Sequence, residues 1–162
     1  MDAAWVRPFR FSSYLSAALL AGLLHGVGWA QLDDGAVLAQ RAAELLTSAF
    51  ELCAKGWFED AVARAREALS LTEKAYGRDD PSTAYVAGLV AFVCREAGLS
   101  EDAAGLIERA LAIWEVARDD AKIVSALQSL GAVYSDLGDY ERAAASLERA
   151  LKIIIVCQTG AK

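Results

Sequence analysis

The chain has 162 residues, the size of one ordinary domain, with 56% apolar side chains, only two prolines and a formal net charge of −6. Alanine and leucine dominate, which favours helix over sheet. Nucleic-acid binding needs phosphates neutralised by Lys and Arg, so an acidic chain with no dense basic stripe is not expected to bind it.

Residues 1–11 carry Arg7 and Arg10 against one acid, Asp2, and no charged residue falls between Ser12 and Ala30. The run Leu15 to Leu24 is strongly apolar, and the segment closes on Gly28-Trp29-Ala30, small residues flanking a large one. A positive start, a short apolar middle and a small-x-small exit predict a secretory signal over 1–30, cut after Ala30. The arginines would stay on the cytoplasmic side while the apolar stretch enters the membrane. An uncleaved anchor is the alternative, because the stretch approaches the ~20 residues a span requires. A buried amphipathic helix is disfavoured, since the segment shows no polar face. The expected location is therefore periplasmic or extracellular, with membrane contact only through this segment if it is retained. Cleavage would also remove His25, the single histidine.

After a lead-in at 31–40, the chain repeats itself. Gly56, Gly98 and Gly138 are spaced by 42 and 40 residues, and three residues after each stands a glutamate: Glu59, Glu101, Glu141. Five after come Ala61, Ala103 and Ala143. Twelve and thirteen after come Ala68-Leu69, Ala110-Leu111 and Ala150-Leu151, and fifteen after Leu71, Ile113 and Ile153. Upstream, Leu45, Ala87 and Leu127 lie eleven before the glycine, Ala49, Ala91 and Gly131 seven before, and Leu52, Cys94 and Tyr134 four before. Steps of three and four put these on one helical face.

Each unit thus reads as a helix A, a tight turn at the glycine, where positive φ carries no steric cost, and a helix B. Ser100 and Asp139 are expected to cap B helices, and the following acids suit the positive end of the helix dipole. Small alanines let the A and B backbones approach at the short end of the ~8–10 Å range. Between units, Gly77 to Pro81 and Arg118-Asp119-Asp120 are polar breaks, with Pro81 able to start a helix. The fold class is all-α, with units at about 41–80, 82–118 and 120–157.

Gly138-Asp139-Tyr140-Glu141-Arg142-Ala143, with Ala150-Leu151 downstream and Leu130-Gly131-x-x-Tyr134 upstream, resembles a tetratricopeptide repeat. The family period is 34 residues; the 40–42 here is similar to the longer repeats of kinesin light chains. Ser100 departs from the aromatic seen at Phe58 and Tyr140, and Ser48 from the apolar Val90 and Leu130. The resemblance covers about 41–157 and implies hairpins stacked as a short right-handed α-solenoid. It also implies a concave groove lined by A helices, where a protein or peptide would bind. Projected onto this chain, the groove positions are Leu46, Phe50 and Cys53, then Tyr85, Gly88, Phe92 and Arg95, then Gln128, Ala132 and Ser135. The groove would be apolar and aromatic at one end, small and polar at the other. Members that clamp a C-terminal carboxylate use Lys, Arg and Asn at such positions, so an apolar extended or helical ligand is expected instead. Equally, Phe50 and Phe92 could be covered by residues 31–40 or by neighbouring helices.

Catalytic chemistry finds no footing. With His25 removed by the expected cleavage, the usual nucleophile–base pairs lack a base. Cys53, Cys94 and Cys157 have no metal-ligand spacing, and no glycine loop is followed by Lys-Ser or Lys-Thr. No cofactor or metal is expected. Asp79-Asp80 and Asp119-Asp120 could do acid–base work, but as turn residues they read better as helix caps. A Cys53–Cys94 disulfide is disfavoured, because packed helix axes lie further apart than the about 7 Å between Cα atoms that a bridge allows. Ile154-Ile155-Val156 stand where the earlier units have Thr72-Glu73-Lys74 and Trp114-Glu115-Val116, so the last helix carries an apolar end. Self-association as a homo-oligomer through Ile154, Ile155 and Val156, or a truncated array, would account for it.

Overall fold

A computed structural model describes residues 34–159; the expected signal at 1–30 lies outside them. Six helices follow in order: α1 (Asp34–Ala54), α2 (Phe58–Tyr76), α3 (Pro81–Glu96), α4 (Ser100–Ala117), α5 (Asp120–Asp136) and α6 (Tyr140–Thr159). No strand occurs among the described residues. The helices form three hairpins, α1/α2, α3/α4 and α5/α6, and each packs on the next. The result is an all-α helical-repeat solenoid. Residues 34–40 are not a separate lead-in but the opening turns of α1, since nothing in Asp34–Gln40 breaks a helix.

All three hairpin turns share one hydrogen-bond pattern. The amides of Trp57, Leu99 and Asp139 donate to the carbonyls of Leu52, Cys94 and Tyr134, and those of Gly56, Gly98 and Gly138 to Cys53, Arg95 and Ser135. This six-to-one plus five-to-two closure places a left-handed residue at the glycine, where φ is 79°, 77° and 76°. It also makes the next residue the cap of helix B. Asp139 fills that role, its carboxylate accepting from the Arg142 amide at 3.0 Å. Ser100 does not: it is the first residue of α4, one place too late, and the cap position holds Leu99, which has no side-chain oxygen. Between hairpins, Asp80 accepts from the Ser82 amide ahead of Pro81, and Asp119 from the Lys122 amide. The second of these turns closes on Arg118, the only described non-glycine residue with positive φ.

The turn-relative positions sort by burial as a stacked repeat requires. Ala61, Ala103, Ala68, Ala110, Ala143 and Ala150 are all buried where A and B helices touch. Where α5 meets α6, Gly131 makes room for Leu147. A methyl added at Gly131 would lie only 2.7 Å from Leu147. The B helices are tied by ion pairs along the stack, Arg66 with Asp102, Glu73 with Arg109 and Glu115 with Arg149. Thr83, fully buried, keeps its hydroxyl satisfied by donating to the Gly77 carbonyl at 2.7 Å.

Candidate functional site

The A helices α1, α3 and α5 stand side by side, and between α3 and α5 lies a cleft of about 290 Å³. Its walls gather five of the expected groove positions: Gly88, Phe92 and Arg95 from α3, Gln128 and Ala132 from α5. Phe92 leaves 49% of its surface exposed there. One turn before Phe92 on the same helix, Gly88 contributes no side chain, and nothing lies within 4 Å of where its Cβ would stand. The cleft is therefore apolar on one wall and amide-bearing on the other, wide enough for a side chain to enter.

Arg95 does not bring a free positive charge to it. Its Nε donates to Asp136 at 2.5 Å, bridging α3 to α5, and that hydrogen bond raises the guanidinium's already high pKa. Ser129 and Ser135 also turn inward on their own helix, donating to the carbonyls of Ser125 and Gly131. Gln128 is thus the wall's exposed amide, with both its donor and acceptor available for a ligand.

The remaining expected positions separate from this cleft. Leu46 is 8% exposed and belongs to the core, packed beneath the junction of α1 with its neighbours, so it offers no surface to a ligand. Phe50 and Cys53 are half-buried against that core, and the Phe50 ring sits 6.1 Å from Phe92 in a tilted pair. Residues 34–40, being helical, leave Phe92 uncovered. Tyr85 is exposed but turned to Lys122, whose ammonium is 5.1 Å from its ring centre and 5.9 Å from that of Trp114. Ser135 is exposed beyond the cleft's end. Conversely, Ser125 and Ser129 line the cleft and were not anticipated. They continue the Gln128–Ala132 stripe by steps of three and four, so extending that stripe one turn would have found them. Ile107 and Val133 form its floor and look like any other core residue in sequence.

The titratable groups elsewhere are engaged structurally. Tyr134, buried, donates to Glu108; burial first, then that hydrogen bond, raises its pKa. Arg142 lies 4.5 Å from the Tyr134 ring centre and pairs with Asp139, whose carboxyl is held below its ordinary pKa by hydrogen bonds from the Arg142 backbone and side chain. Cys53, Cys94 and Cys157 are free thiols, and desolvation raises the pKa of each. Among the described residues no three metal-ligating side chains converge, and no helix is long and apolar enough to cross a membrane.

Comparison with known proteins agrees with this architecture. The family model described as tetratricopeptide repeat matches residues 41–115 and 86–154. The crystal structure of BtubC (BKLC) from P. vanneervenii is similar, with a TM-score of 0.66 and 26% identity over 72% of this chain; this chain spans 48% of that one. The TPR domain of Arabidopsis FLU shares the fold, with a TM-score of 0.61 and 20% identity over 74% of this chain and 98% of that domain. None of the curated proteins compared with the chain matches it. With its three glycine-turn hairpins and a matching family model across most of its length, the chain belongs to the tetratricopeptide-repeat family.

Proposed function

We propose that the chain is a non-catalytic scaffold that holds a peptide or helical segment of another protein in the cleft between α3 and α5. Tetratricopeptide repeats generally serve as protein-interaction scaffolds, and one observation carries the choice of site. Phe92 keeps half its surface open beside Gly88, in a groove whose other wall is small and polar. A ligand suited to it brings one large apolar side chain against Phe92 and polar groups to Gln128. Because Asp136 neutralises Arg95, a terminal carboxylate is not the anchor. The absence of catalysis belongs to the same proposal, since the cleft holds no nucleophile paired with a base. So does export: the composition of residues 1–30 supports a periplasmic or extracellular scaffold, and a secreted form beginning at Gln31 would establish it.

The test is peptide-display selection on the immobilised chain, followed by titration calorimetry of selected peptides with the wild type and Phe92→Ala. Phe92 is half exposed, so the variant should remain folded by circular dichroism. Selected peptides sharing an apolar anchor, bound at least about tenfold more weakly by Phe92→Ala, are the expected result. Equal binding by the folded variant contradicts the site.

A further inference from the structure

We propose that the outer face of α6 is completed by the same face of a second copy of the chain, packed antiparallel about Leu151. Nine, thirteen and sixteen residues after the turn glycine, α2 has Ala65, Leu69 and Thr72, and α4 has Ile107, Leu111 and Trp114. All six are at most 9% exposed, in hairpins that another hairpin follows. In α6 the same positions hold Leu147, 47% exposed, Leu151, 55% exposed, and half-buried Ile154. Ile155, one residue further, is 48% exposed. Among the described residues, a surface that is packed in the other two hairpins is therefore left open on α6.

The ion pairs along the B helices argue against covering it with the start of another copy. The acid seventeen after the glycine, Glu73 or Glu115, meets the arginine eleven after the next glycine, Arg109 or Arg149. In α6 the acid's place is taken by Ile155, and in α2 the arginine's place by Glu67. Head-to-tail stacking would set Ile155 toward Glu67, an apolar residue against a carboxylate.

Self-pairing matches instead. Antiparallel helices related by a twofold axis at Leu151 bring Leu147 against Ile155 of the second copy and Leu151 against its own mate, with Ala144 toward Gln158. In such a pair the same flanking edges of both helices meet, and that edge of α6 carries Glu148 and Lys152. Each carboxylate then lies near the other copy's ammonium, twice by symmetry. Both residues are exposed, and neither joins an ion pair among the described residues. The α3/α5 cleft lies on the A helices and stays open in this arrangement, so the inference stands apart from the reading of the groove.

Sedimentation equilibrium of the full chain tests it, with Leu151→Glu, Glu148→Lys, Lys152→Glu and the Glu148→Lys/Lys152→Glu double variant, each checked for helicity by circular dichroism. Expected are a closed dimer at micromolar concentration for the wild type and a monomer for Leu151→Glu. Each single charge reversal should weaken the dimer by about tenfold, and the double swap should restore it. A wild-type monomer at about 100 μM, an open series of higher oligomers, a dimer untouched by Leu151→Glu, or a double swap no better than its parents would each overturn the pairing.

Discussion

The clefts on either side of α3 are built from the same positions, ten, six and three residues before the turn glycine, yet one is filled and the other open. Between α1 and α3, Leu46 drops into the core and Phe50 follows it, leaning on Phe92. Between α3 and α5 the matching residues are Gly88, Gln128 and Ala132, too small or too polar to close the gap, and Arg95 and Asp136 bridge only its edge. The backbone frame is shared, so side-chain volume alone decides which junction is core and which is surface. In a repeat protein, substitutions at equivalent positions turn packing into a site without altering the fold.

That contrast predicts unequal consequences of equal changes. Leu46→Ala should destabilise by about 2–5 kcal/mol in denaturant unfolding, because it empties a buried junction. Gln128→Ala, at the matching place in the open cleft, should stay within about 0.5 kcal/mol. Similar losses at both positions would erase the distinction between the clefts. Gly88→Ala should stabilise by about 0.5–1 kcal/mol, since a helical glycine with clear space around its Cβ gains conformational restriction without a clash. A loss there would mean that the space is already occupied. Arg95→Met should cost less than about 1 kcal/mol, a loss that shrinks with added salt, because the Arg95–Asp136 pair is over a third exposed on each side.

Much of the fold was legible because tight turns and close helix contacts admit few residues. Glycine marks the three left-handed turn positions, and the alanines mark where backbones nearly meet. The cap of α4 was misplaced by one residue because the turn geometry, not side-chain chemistry, selects Leu99. The start of α1 was set too late for want of a breaking residue on either side of Gln40. The groove was legible as a stripe but not in depth. Helical spacing cannot say whether Leu46 points below its neighbours or Phe92 above them, because that depends on which hairpin lies next to each. Nor could spacing reveal that Asp136 would occupy Arg95, a contact between residues 41 apart in the chain.

The most direct measurement is peptide binding by Gly88→Leu, which gives the open cleft the side chain that fills the other one. A folded variant is expected, melting at or above the wild-type temperature, that no longer binds the display-selected peptides. Wild-type affinity in that folded variant would mean the cleft between α3 and α5 is not where the ligand sits.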